Sequence, residues 1–278
     1  MPRDMHSQTP ETHPLARLMA GGAWRLGLHH AREDHLVIWL TKGQGLATLR
    51  GLRQGLTVHN ALFIPAGTLF SIDPGPQGFG IALVIPGGCD IPLPGAPRHL
   101  RVRDAQKQNE LFQLLEAMGR EQSRSAAGGA NAYGEFHAQA ARAYATLISV
   151  WLRRMSLDLP ANTGPTPEQH LSARFSDLVA RNFRSGKAAQ AYAAELDVPP
   201  DHLNEAVQTC SGLTPTEMLS QTALHAARLM IEDGTLPFTE IAAHLGFASP
   251  QVFTRFIQSR TGKSPTQLRN AAPDQPAP

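Results

Sequence analysis

The sequence predicts an α+β multidomain chain: a β-barrel with an appended helix pair, then an all-α domain that contains one plan twice. Three observations predict it. Between Trp24 and Val84 short apolar segments recur at close spacing, divided by Gly, Pro, Asn or Asp, the pattern of a sandwich or barrel. From Arg103 the apolar spacing changes to steps of three and four, the helical period. Residues 188–212 and 237–262 then repeat one order of short helix, tight turn and second helix. A chain of 278 residues is long enough for two cores.

Taken in order, residues 1–20 read as a mobile arm, with Leu15, Leu18 and Met19 as docking points. Residues 21–100 supply the barrel, with WRLGLHH, HLVIWLTKG, GLATLRG, LTVHNALFIPAG and FGIALVIPG as strands. On the first strand Trp24, Leu26, Leu28 and His30 share a face, and Trp39 lies on another strand. Trp24, His30 and Trp39 are therefore candidates either for an aromatic ligand pocket or for plain core. Arg50 and Arg53 flank a hairpin turn and read as solvated. His29 and His30 are adjacent and point to opposite faces, while His35 and His59 stand alone. No Cys/His cluster has zinc spacing, so no metal is expected. Cys89 has no resolving partner.

Residues 101–157 form the helix pair. Leu111, Leu114, Leu115 and Met118 make one stripe; Tyr133, Phe136, Ala140, Tyr144, Leu147, Trp151 and Met155 make a longer one. Residues 158–167, rich in Pro, Gly and Asn, are a linker that leaves the flanking domains free to reorient. Residues 168–270 form the helical domain, and 271–278 a disordered tail. In the domain's first helix Arg174, Arg181 and Arg184 face away from the apolar stripe, toward phosphates or plain solvent.

The helical domain carries the clearest signals. In its second copy Pro237 suits a first helical turn, Ile241, Ala242 and Leu245 form a stripe, and Gly246 stops the helix. Ser249 and Pro250 then read as N-cap and N1. Phe253 and Ile257 turn inward on the next helix. Gly262, Ser264 and Pro265 repeat the punctuation. In the first copy Leu203 and Val207 match Phe253 and Ile257, and Asp197, tolerant of a left-handed turn, stands where Gly246 stands. Thr214 and Glu217 form a T-x-x-E capping box that opens a helix joining the copies. Each copy is a helix-turn-helix, the plan used for reading the DNA major groove; two of them can face successive turns about 34 Å apart.

Ile241, Ala242, Leu245, Gly246, Phe247, Phe253, Arg255, Phe256, Gly262, Ser264, Pro265 and Arg269, with Leu203 and Gly212 in the first copy, resemble the DNA-binding domain of AraC/XylS-type transcriptional regulators over residues 170–270. The resemblance implies double-stranded DNA, a homodimer, a small-molecule effector and RNA polymerase as partners, and activation rather than repression. Order and spacing in residues 20–90 resemble the cupin-type sensor domain of such regulators, most closely over residues 61–68 (ALFIPAGT). Where metal-binding cupins place a histidine this chain has Leu69 and Phe70, which argues against a cupin enzyme. The helix pair then has two readings, packing on the barrel and a dimer interface through Tyr144, Leu147 and Trp151, as the resemblance implies.

Base-reading positions follow from the outward early turns of each second helix. In the second copy these are Gln251, Val252, Thr254 and Arg255: Gln pairs with adenine, Arg with guanine, and Val touches a thymine methyl. In the first copy they are Asp201, Asn204 and Glu205, with Glu205 where the family commonly has arginine and Pro199 in place of a capping Ser or Thr. Net charge is +2 overall, and residues 165–270 hold nine Lys/Arg against ten Asp/Glu. That balance of −1 departs from the basic character of DNA-binding domains and predicts weak non-specific affinity. Two cysteines, no signal-peptide core and no apolar run of membrane length fit a cytoplasmic regulator that is neither an enzyme nor a cofactor carrier.

Overall fold

The computed structural model describes residues 9–128, 132–157 and 164–271. The linker expected at 158–167 falls mostly outside them, as do residues 1–8 and 272–278. Among the described residues eight strands form two antiparallel sheets: β1 (Glu11–Pro14), β2 (His35–Lys42), β3 (Gln44–Leu49), β4 (Leu52–Thr57), β5 (Asn60–Ile64), β6 (Phe70–Asp73), β7 (Phe79–Ile85) and β8 (Arg98–Arg101). One sheet has the order β1-β7-β2-β5-β8, the other β4-β3-β6.

The central strands β2 and β5 of the five-stranded sheet are buried on both faces, which is why they read as unbroken apolar runs rather than alternating ones. Leu36, Ile38 and Leu40 of β2, with Leu62 and Ile64 of β5, point between the sheets against Leu49, Leu56, Phe70 and Ile72. Val37, Trp39, Phe63 and Leu83 point the other way, onto the helix pair α3 (Ala105–Gly128) and α4 (Ala132–Leu157). Apart from Phe70, the buried side chains between the sheets are aliphatic.

Three expectations for this region change. The arm is shorter than residues 1–20, because β1 pairs with β7 and Leu15, in the one-turn helix α1 (Leu15–Leu18), is buried between the sheets. Trp24 does not begin a strand. Residues Trp24–Gly27 make a single helical turn, α2, with Leu28 N–H donating to Trp24 C=O at 3.1 Å. Alternation of Trp24, Leu26, Leu28 and His30 imitates a strand, but a turn sends these side chains to different places. Leu26 enters the inter-sheet core and Leu28 reaches the helical domain. Finally, Trp151 and part of Tyr144 pack onto the protein's own sheet. Ile148, one residue from Leu147, completes that stripe, and Leu147 is left on the open face.

The helical domain begins at α5 (Pro167–Asn182), capped by a reciprocal box between Thr166 and Gln169. A 3-10 turn (Phe183–Ser185) leads to α6 (Ala189–Glu195) and α7 (Pro200–Ser211), then the connecting helix α8 (Pro215–Glu232). The second copy follows as α9 (Phe238–His244), α10 (Pro250–Thr261) and α11 (Pro265–Ala271). Asp197, Gly246 and Gly262 have the left-handed conformation that their positions require (φ 58°, 75° and 70°). The box at Thr214 is half made: its hydroxyl accepts from Glu217 N–H, while the Glu217 carboxylate pairs with Arg260 at 2.8 Å. Each copy has its own core, around Phe175, Tyr192 and Leu203 in the first and Ile241, Phe253 and Ile257 in the second, with Phe183 packed against both.

The two domains are docked, contrary to the free reorientation expected from the linker. Arg50, expected in solvent, pairs bidentately with Asp177 of α5 at 2.6 and 2.8 Å. Arg53 lies against Gly212, and Ser172 donates to Gly51 C=O. Leu69 is buried in the first helical core.

Candidate nucleic-acid interface

The sequence of α10 divides its faces cleanly. Pro250 at N1 and Ser249 Oγ, accepting from Val252 N–H at 3.3 Å, fix where the helix starts. Phe253 and Ile257 are fully buried and set its rotation. Gln251, Val252 and Arg255 are consequently exposed and Thr254 half-buried. Arg255 makes no ion pair or hydrogen bond among the described residues, so its guanidinium is available. Arg260 and Arg269 are engaged instead. Arg260 holds Glu217, and Arg269 donates to Ile231 and Leu236 C=O while lying over the Phe238 ring.

On α7 the same logic holds. Leu203, Ala206 and Val207 are buried, which leaves Asp201, Asn204 and Glu205 exposed together. No side chain caps this helix at Pro199. The exposed face of α7 is thus polar but carries two carboxylates toward any approaching phosphate.

The three candidate ligand residues do not share one pocket. Trp39 lies in the core between sheet and helix pair, 5.7 Å from the His59 ring. Trp24 and His30 instead reach α8: the Trp24 ring is 5.5 Å from that of His225, and the His30 ring is stacked on it at 4.0 Å. Arg228 lies 4.2 Å over Trp24, and Arg25 pairs with Asp233 at 2.6 Å. His29 bonds Gln221 at 2.8 Å. Burial pushes His29 and His30 below the ordinary imidazole range, and burial with the nearby arginines takes His225 to about 4. Beside them a cleft of about 350 Å³ opens between the domains, lined by His30, Arg32, Arg181, Arg184, His225 and Met230 among others. Arg181 and Arg184 therefore face this cleft. Sequence reasoning missed the seam, since His225 sits in an ordinary apolar helix and its partners are nearly 200 residues away.

The family of helix-turn-helix domains matches residues 192–271, which holds most of the first copy and all of the second. The C-terminal domain is an AraC-type helix-turn-helix domain. Two curated relatives share this part of the chain. The virulence regulon transcriptional activator VirF of Yersinia enterocolitica is 26% identical over 106 residues, 38% of this chain and 38% of that protein. The bifunctional transcriptional activator/DNA repair enzyme AdaA of Bacillus subtilis is 24% identical over 109 residues, 38% of this chain and 52% of that protein. The chain thus spans about half or less of these relatives. Among solved structures, unsaturated fatty acid-bound ToxT of Vibrio cholerae aligns over 95% of both chains at 10% identity, with a TM-score of 0.43. No helix among the described residues is long and apolar enough to cross a membrane. Within the AraC-type domain, α7 and α10 are the two second helices, and α8 is the piece that both copies and the β-domain share.

Proposed function

We propose that the chain is a sequence-specific DNA-binding transcription regulator that reads bases chiefly through α10. The observation that carries this is the α10 face, where Gln251, Val252 and an unpaired Arg255 stand exposed over a rigid apolar anchor. Asp201 and Glu205 support a lesser role for α7, since carboxylates resist phosphate and only Asn204 offers an amide to adenine. Selection of sites from random DNA with the full chain tests this. An enriched motif is expected, with preference at one base lost in Arg255→Ala at a cost of roughly 1–3 kcal/mol and little change in Glu205→Ala. A loss in Arg255→Ala that is uniform across sequences puts Arg255 on phosphate and removes it as a reader.

VirF and AdaA are both named transcriptional activators, which supports activation through contact with RNA polymerase. A homodimer raises affinity where net charge does not. Tyr133, Phe136 and Leu147 support one, because they stay 75%, 64% and 50% exposed on α4. Phe136→Glu with Leu147→Glu is expected to halve the mass seen in sedimentation at micromolar concentration; an unchanged mass places the dimer elsewhere or denies it. An effector enters the interdomain cleft, which offers about 350 Å³ lined by arginines and histidines, whereas buried apolar side chains pack together between the sheets. Control by abundance or by a protein partner is the reading left if no small acid or phosphate ester shifts the melting of the full chain.

A further inference from the structure

Three histidines from two domains are gathered at the seam, and each meets a carbonyl. His30 Nδ1 lies 2.8 Å from Leu28 C=O, His225 Nε2 lies 3.1 Å from Arg25 C=O, and His29 Nδ1 lies 2.8 Å from Gln221 Oε1. A carbonyl oxygen only accepts, so each ring holds its proton on that nitrogen. The neutral form has no second proton to give. His29 Nε2 is buried with no partner among the described residues, and the His30 and His225 rings lie face to face, only 9° from parallel. A second proton on either stacked ring charges a group held away from water, and on both it sets two cations in contact.

The surrounding charges make this worse. From the β-domain Arg25 and Arg32 face the pair, from α8 Arg228, and from α5 and the turn after it Arg181 and Arg184 line the same cleft. The carboxylates nearby are engaged: Asp233 with Arg25, Asp34 with Arg32, Glu232 with Arg228, and Glu217, which acts on His29, with Arg260. Glu33 also lines the cleft.

We propose that the His30–His225 stack, with His29 behind it, is an acid-operated latch: proton uptake separates the AraC-type domain from the β-domain and frees the double helix-turn-helix to reposition on DNA. The sign follows from linkage. The rings are neutral in the docked state and regain the ordinary imidazole value of 6.5 once the seam opens. Docking is therefore complete above pH 6.5 and weakens as pH falls from there toward 4, where His225 protonates even when docked. At pH 5.5 His225 alone shifts the balance toward opening by about tenfold, and His30, also held below the ordinary value by burial, adds to it in the same direction. The ion pairs Arg25–Asp233 and Arg50–Asp177 cross the same seam and oppose opening.

Small-angle scattering on the full chain between pH 7.5 and 5 tests the latch, without DNA and so independently of the site selection. The wild type is expected to expand with a midpoint between about pH 5 and 6.5. The double variant His30→Gln, His225→Gln, which cannot take up these protons, is expected to stay compact over the same range. Should the double variant be open already at pH 7.5, His225→Phe alone keeps a ring on His30 and removes one titrating group. Its expansion is then expected at lower pH and with a shallower slope. Asp233→Asn serves as a reference that loosens the seam at every pH. A wild-type radius unchanged down to pH 5, or a variant that expands at the wild-type midpoint, overturns the proposal.

Discussion

Phe253→Ala is expected to unfold the second helix-turn-helix while the first stays folded. Phe253 is fully buried, 5.3 Å from the Phe247 ring in edge-on contact, and Phe247 is in turn 5.1 Å from Phe256. Removing a buried phenylalanine costs about 3–5 kcal/mol, through lost transfer energy and the void left behind. A whole domain is stable by only about 5–15 kcal/mol, and half of one has less to lose. Val252→Ala, at a neighbouring site 45% exposed, should cost within about 0.5 kcal/mol and serves as the comparison. Thermal melting with sequence-specific binding read at the same temperature gives the answer. If Phe253→Ala melts no earlier than Val252→Ala, the aromatic cluster is not what holds this motif.

Gly246→Ala comes second, at about 3 kcal/mol, and its argument is one of backbone rather than core. The residue has φ 75°, and an added Cβ would stand 2.3 Å from Arg184 C=O and 2.7 Å from Gly186 N. Gly186 meets Gly246 in the same way from its own side, with a Cβ there 2.5 Å from Gly246 C=O. Two left-handed glycines thus let the chain leaving α5 lie directly on the turn of the second motif. The left-handed conformation alone costs a non-glycine residue about 1–3 kcal/mol. Gly262→Ala isolates that part, because Gly262 has φ 70° and nothing within 4 Å of its would-be Cβ. Urea denaturation of both variants is expected to rank Gly246→Ala well above Gly262→Ala. Equal losses count against the close contact as a source of stability.

Much of the helical domain was legible in the sequence because its signals are local. Ser249 with Pro250, Asp197, Gly246 and Gly262 each dictate a backbone conformation from their own chemistry. The inward and outward positions of α10 follow once Phe253 and Ile257 are placed. What stayed hidden depends on partners far away in the chain. Tyr144 and Trp151 make the same stripe whether it covers the chain's own sheet or a second copy. Trp24 to His30 alternates like a strand, and only the turn at its start tells otherwise. Arg50 reads as a solvated hairpin residue until Asp177 appears beside it. His225 gave no sign of its role, since one histidine in an apolar helix is most often a satisfied core residue.

Helix α8 also has a mechanical consequence. Its eighteen residues make a strut about 27 Å long, with the β-domain gripping one side through His225, Arg228 and Gln221. Because the strut joins both reading units, tilting it carries them as one lever instead of loosening them separately. A tilt of about 10° moves the far end by about 5 Å, more than the 3.4 Å between successive base pairs. A small displacement at the seam is therefore geared into a whole step of register along the double helix.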